Sequence, residues 1–323
     1  MKIITHAMAA AILMAGAVSA AAASGFPDRA VTIVVPFPAG GTTDILARQL
    51  GKGLADTWGV PVVIENKGGA SGTIGSAQVV RSKPDGYTLM LTATHHVINP
   101  TLLKKTISYD TKTEFTSLAL VATVPNVLVV NKNFKAQNIE ELIAMAKENP
   151  GDINFGSAGI GGANHLAGEL FAHEAGVKLT HIPYRGAAPS LSDLLAGQIP
   201  MMFDSLPGVL SHIESGQLRA LGVTTLARAQ QLPNVPTIDE SGLKGFEAVA
   251  WFALYGPAKM PQDVVSKISE DVNTVLASQQ IKSSFSALGA TPGQMPQPEF
   301  AKFVDTEIDK WGNVIQAANI SVP

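Results

Sequence analysis

From about residue 30 the chain alternates short runs of β-branched residues with stretches whose apolar positions recur every three or four residues. Val31-Thr32-Ile33-Val34-Val35 is apolar on both faces, which predicts a fully buried strand. Leu46, Leu50 and Leu54 follow at i, i+4 and i+8, one face of a helix. Val62-Val63-Ile64 predicts a second strand, then come the glycine-rich stretch 68–72, a helix over about 73–82 and a third strand, Tyr87 to Leu91, after the Pro84-Asp85-Gly86 turn. Strands separated by helices predict a mostly parallel sheet with helices on its faces.

A second series of the same kind starts near 125. Asn126 to Val130 reads as extended, 138–148 as a helix and Ile153-Asn154-Phe155 as a strand. A helix over 164–175, a strand over 179–183, a helix carrying Leu191, Leu194 and Leu195, and a strand from Ile199 to Phe203 complete it. Two comparable blocks predict two α/β lobes. The tail has one strand pattern, Ala250 to Tyr255, and two amphipathic helices, marked by Val264, Val265, Ile268, Val272 and Leu276 and by Phe300, Phe303, Val304, Ile308, Trp311 and Ile315. Too helical to fold as a third unit, it is expected to pack on the first lobe. The expected division is 24–123 with 246–323 as lobe 1 and 124–245 as lobe 2, the chain crossing near 124 and 245.

Ahead of these blocks, Lys2, the apolar run Met8 to Ala17 and the small residues up to Ala23 have the form of a secretory signal peptide over 1–23. The run is too short and too alanine-rich for a membrane span of about 20 residues. The expected product is exported to the periplasm without a lipid anchor. Composition then narrows the chemistry. The 323 residues contain no cysteine, which removes disulfides, thiolate metal sites and thiol nucleophiles. A net charge of −3 and the lack of a Lys/Arg block argue against a nucleic-acid partner.

The most informative loop is Pro36-Phe37-Pro38-Ala39-Gly40-Gly41-Thr42-Thr43-Asp44, between a buried strand and a helix start. Free N–H groups and the positive end of the helix dipole suit an anion there, most simply a carboxylate; a tight turn made by Gly40-Gly41 is the plainer reading. No Gly-Lys-Ser/Thr ending makes it a Walker loop. The second block repeats the arrangement at 155–165, and the dinucleotide fingerprint fails there because Asn164 stands at the third glycine position. Two glycine-rich helix starts suggest two jaws closing on one small anion. Neither Ser71 nor Ser157 lies in G-x-S-x-G, and no metal-ligand spacing occurs, so no catalytic residue, metal or cofactor is expected. His95 and His96, if on a strand, point in opposite directions, and one of them can reach the cleft. His165 can cap a helix or contact ligand. Arg185 can bind a carboxylate or bridge loop carbonyls, and Arg48 pairs with Asp44 at i, i+4. Asp204, at a strand end, can accept a hydrogen bond from ligand or cap the next helix.

The run Val34 to Asp44 resembles the opening of the extracytoplasmic solute receptors of tripartite tricarboxylate transporters, the Bug receptors. Further similar segments are Val63 to Gly72, Pro84 to Leu89, Phe155 to Gly159, His165 to Phe171, Pro183 to Ala188 and Leu232 to Thr237. They keep the family's order from about 26 to 315. The resemblance implies an α/β type II periplasmic binding protein fold, two lobes joined by a two-crossing hinge with a ligand cleft between them. It also implies a carboxylate gripped by loops 37–44 and 156–164, largely through backbone groups and ordered water, with specificity set on the far side of the cleft. The expected ligand contacts are Phe37, Ala39, Gly40, Gly41, Thr42, Thr43, Asp44, His95, His96, Ser157, Ala158, Gly159, Gly162, Asn164, Tyr184 and Asp204. The expected partners are a small organic acid (a dicarboxylate, tricarboxylate, amino acid or aromatic carboxylate) and membrane permease subunits, with the receptor a monomer. An exported enzyme acting on a carboxylate and a receptor serving a sensor kinase remain open at this point.

Overall fold

The computed structural model describes residues 25–317, so the expected signal segment lies outside the described residues. The fold is built on strand β4, Phe115–Asn131, which belongs to two sheets in turn. Its first part, up to Pro125, pairs antiparallel with β9, Val249–Pro257, and its last part, from Asn126, pairs antiparallel with β7, Met201–Ser205, and β8, Leu218–Val223. The periodicity had marked only the stretch from Asn126; residues 115–125 carry Thr and Ser among their apolar positions and look less strand-like in isolation.

The first sheet runs β2-β1-β3-β9-β4, with β1 Val31–Val35, β2 Val62–Asn66 and β3 Thr88–Ala93 mutually parallel. β1 lies between neighbours with both faces covered, which is why every second residue need not be polar. β2 is the edge, and Val63 there is 49% exposed. On one face pack α1, Thr42–Trp58, with α8, Gln262–Ala277, and α9, Gln279–Ala287; Leu46, Leu50 and Leu54 meet Ile268, Val272 and Leu276 in a common core. On the other face α10, Gln297–Ala317, lays Phe300, Val304 and Ile308 against Tyr255 and Trp251. The tail therefore covers this sheet, with α9 as a helix the apolar pattern did not separate from α8. Ser278 divides them, its extended backbone ending one helix while its hydroxyl accepts the Ile281 N–H that starts the next.

The second sheet runs β4-β7-β5-β6, with β5 Asn154–Ser157 and β6 Thr180–Pro183 parallel to each other. Helices α4, Ile139–Glu148, and α5, Ala163–Ala175, cover one face through Leu142, Phe171 and their neighbours; α6, Ala187–Leu195, and α7, Leu206–Glu214, cover the other. Both sheets are thus the middle layer of an α/β/α unit, and the chain passes between them at Pro125–Asn126 and again between β8 and β9. The result is a two-lobed α/β architecture.

Candidate functional site

Where the strands of each sheet end toward the other lobe, loops and helix starts enclose a narrow cleft. It spans about 450 Å³ including its mouth. Its lobes touch: an ideal Cβ placed on Gly186 would lie 2.5 Å from Pro38 Cδ, and one on Gly161 would lie 2.9 Å from Asn99 Oδ1. The two lobes are thus closed on each other across the cleft.

The first jaw is the loop before α1. Gly40 takes a φ of 87°, which L side chains rarely adopt, and this turns Gly41 into the N-cap position. No side chain caps α1, so the amides of its first turn, Thr42, Thr43 and Asp44, face the cleft mouth without intrahelical partners. Asp44 reaches backwards: its Oδ2 accepts the Gly40 N–H at 3.0 Å and Arg48 Nε at 3.0 Å, and its Oδ1 accepts Asn66 Nδ2 at 3.0 Å. Burial alone would raise the Asp44 pKa; the hydrogen bonds from Arg48, Gly40 and Asn66 outweigh it and hold the carboxyl below its ordinary value. Asp44 and Gly40 thus brace the loop, with Arg48 as the expected i+4 partner.

The second jaw is the loop before α5. Gly162 is the N-cap, again with no side-chain cap. His165 Nδ1 accepts the N–H of Gly161, the residue before the N-cap, at 3.3 Å, so it steadies the loop without capping α5. Ser157 Oγ bonds both ends of Gly159 and the His181 Nε2, so it fixes the loop and does not line the cleft. His165, Glu169 and His181 gather at the base of this jaw. The two imidazoles stack at 4.0 Å and 26°, and one ligand atom from each of the three side chains lies within 4.8 Å of the others.

Between the jaws stand His95 and Asp204. His95 and His96 are not on a strand: they open α3, His95–Leu102, after β3 ends at Ala93. Helical geometry separates them by about 100°, so His95 enters the cleft against Phe37, ring centroids 4.8 Å apart, while His96 turns into the core against Tyr255 and Phe115. Burial lowers both pKa values to about 3, so both rings are neutral, and neither His95 nitrogen has a hydrogen-bond partner. Asp204 lies within β7. Its Oδ1 accepts Asn164 Nδ2 at 2.9 Å and the Ser205 N–H at 2.8 Å, while Oδ2 has no partner. Burial pushes this acid up to about 7, with the two hydrogen bonds opposing. Thr42 Oγ1 is also unpartnered.

Of the residues expected at the ligand, Phe37, Gly41, Thr42, Thr43, His95, Ala158, Asn164 and Asp204 line the cleft together. Ala39, Gly40, Asp44, Ser157, Gly159 and Gly162 build the jaws around it, and His96 lies outside it. Tyr184 is elsewhere engaged, its hydroxyl donating to Asp193 at 2.7 Å, and Arg185 is exposed. Sequence reading missed Thr94, Ala187, Ser205, Ala250 and Phe252. Ala250 and Phe252 sit at the start of β9, which runs antiparallel to β3, and strand direction is invisible in an apolar run. Ala187 carries a signal that could have been used: it follows Gly186 at the start of α6 and faces Gly41 across the lobes. A larger groove, about 1620 Å³ including its mouth, lies behind the crossing strands between Trp251, Phe303, Trp311 and α5, away from the two uncapped helix starts.

With this geometry in view, comparison with known proteins is direct. Residues 46–320 match the family model described as tripartite tricarboxylate transporter family receptor. Protein BugT of Bordetella pertussis is 36% identical over 306 residues, covering 94% of each chain. A Rhodopseudomonas palustris protein solved with adipate superposes at a TM-score of 0.89 with 35% identity, covering 92% of this chain and 99% of that one. MatC from the same organism, solved with bound malate, superposes at 0.84 with 30% identity, covering 90% and 100%.

Proposed function

Because this chain belongs to the tripartite tricarboxylate transporter receptor family, we propose that it is a periplasmic receptor that captures a small organic carboxylate and delivers it to the membrane subunits of such a transporter. The observation that carries this reading is the pair of uncapped helix starts, α1 and α5, opposed across a cleft lined by no lysine or arginine among the described residues. Backbone N–H groups and helix dipoles supply the complement to an anion without a cationic side chain. His95 adds a neutral donor, and the narrowness of the cleft suits a short acid. Relatives solved with adipate and malate support the ligand class.

In this reading the chain is exported by residues 1–23, acts as a monomer, and divides into lobe 1, 24–123 with 246–323, and lobe 2, 124–245. The lobes rotate about the crossings at Pro125–Asn126 and between β8 and β9, and ligand bridges the two jaws when they close. Ligand-bound and ligand-free states differ in the free energy of closure, which lets the membrane subunits distinguish a loaded receptor.

Thermal-shift screening against malate, adipate, succinate, citrate, glutamate and benzoate tests the proposal. An acid at about 100 times its Kd adds about 2.7 kcal/mol to the folded state, so at least one member should raise the Tm by several degrees. Mass spectrometry of the bound acid after prolonged incubation should return it unchanged. No stabilisation by any of these acids, or conversion of the acid to a product, would reject the receptor reading.

A further inference from the structure

We propose that Asp204 enters the complex as the uncharged acid and donates the proton on its Oδ2 to an oxygen of the ligand carboxylate, which makes it a specificity residue that couples binding to proton uptake. This rests on the carboxylate-receptor reading. Asp204 is 1% exposed, its Oδ1 is saturated by Asn164 and Ser205, and its Oδ2 is unpartnered at the cleft. An ideal Cβ on Gly208 would lie 3.0 Å from that Oδ2 and 3.2 Å from Thr42 Oγ1, so two unpartnered oxygens from opposite lobes border one small space. An oxygen left bare in so enclosed a place has either a proton to give or a donor to receive.

The surrounding charges decide between these. Into the cleft beside Asp204, α1 presents Thr42 and Thr43, α3 presents His95 and α5 presents Asn164, while Gly208 of α7 lies next to the Asp204 carboxyl. Beside it on β4, Asn126 faces Ser205. His95 and Asp204 are the titratable side chains of the lining, and burial keeps His95 neutral, so no cation stands by to stabilise an ionised Asp204. An incoming carboxylate adds a like charge at hydrogen-bond distance, and two carboxylates so placed share a proton instead of both ionising. Burial, which outweighs the two opposing hydrogen bonds from Ser205 and Asn164, already holds this acid at about 7. The proton comes from solvent, and above that pH it must be taken up for the acid to bind.

Titration calorimetry of wild type and Asp204→Asn with malate and with adipate, at pH 6.5 and 8.5, tests this. With Asp204 near pH 7, wild-type affinity should fall about 25-fold between the two values, and buffers of different ionisation heat should reveal proton uptake at the higher one. In Asp204→Asn the amide oxygen can keep the bonds from Asn164 and Ser205 while Nδ2 replaces the acid O–H. That variant should bind within several-fold of wild type at pH 6.5 and equally well at 8.5. Wild-type affinity that is flat in pH, or loss of binding by a folded Asp204→Asn at both pH values, would overturn the proposal, the latter by assigning Asp204 to a ligand hydroxyl or ammonium. If no acid of the panel binds wild type at either pH, the receptor reading fails and this inference with it; pH-independent binding removes the inference alone.

Discussion

Gly162→Ala should weaken acid binding without unfolding either lobe. Gly162 has a φ of −86°, a conformation any residue adopts, so in the isolated second jaw the methyl group meets only Asn164 Oδ1, at 3.3 Å, a contact a small shift relieves. In the closed structure, however, its Cβ would lie 2.5 Å from both Cε1 and Nε2 of His95 in the opposite lobe. His95 cannot swing aside freely, since it is 3% exposed and packed on Phe37. Overpacking of this kind costs about 1–3 kcal/mol, most of it in the closed state, where the 2.5 Å approach to His95 exists. The population competent to hold ligand falls accordingly, and the apparent Kd rises by the same factor, roughly 5- to 150-fold. Calorimetry with the tightest acid of the screening panel measures the change, and the Tm of the ligand-free protein supplies the folding control. His95→Ala in the Gly162→Ala background removes the opposing ring and should regain closure, seen as a smaller radius of gyration by solution scattering with acid present. Binding by Gly162→Ala within twofold of wild type would refute the argument, because it would mean that ligand is held without this contact between the jaws.

Three further outcomes are expected. Asp204 has a folded pKa near 7 against 3.8 for the free acid, so its contribution to stability is fully present below about pH 4 and lost as pH rises through 7, up to ~4 kcal/mol in all; urea unfolding of Asp204→Asn between pH 5 and 8.5 should lack this component, and an unchanged slope would contradict the burial argument. Asp44→Ala removes the acceptor of the exposed Gly40 N–H, a loss of about 0.5–1.5 kcal/mol, and should weaken acid binding several-fold by calorimetry while circular dichroism stays native. Phe171→Ala, fully buried against Phe203 and Phe246, should destabilise by about 3–5 kcal/mol in chemical denaturation, and a loss under 1 kcal/mol would show that the second lobe's core closes around the gap.

The alternation of apolar runs with helical periodicity was sufficient to find two α/β blocks, because each element buries a whole face and its spacing records which face. The two glycine-rich loops were equally legible, since a helix start with glycine at the N-cap leaves its amides free whatever surrounds it. Arg48 and Asp44 were paired by helical spacing alone. What the sequence could not supply is what depends on partners far away in the chain. β4 looked like a short strand because half of its pairing lies in another sheet, and His95 and His96 were misplaced onto a strand because only the packing of α3 against α10 makes that stretch a helix despite Pro100. Asp204 was a candidate among several from sequence; its significance arises from Asn164 and Ser205 occupying one oxygen while the opposite lobe closes over the other. Local spacing thus determined the elements and the two jaws. The charge state and partners of the groups between them were decided by tertiary structure, because burial and hydrogen-bond saturation are properties of the closed cleft and of no segment by itself.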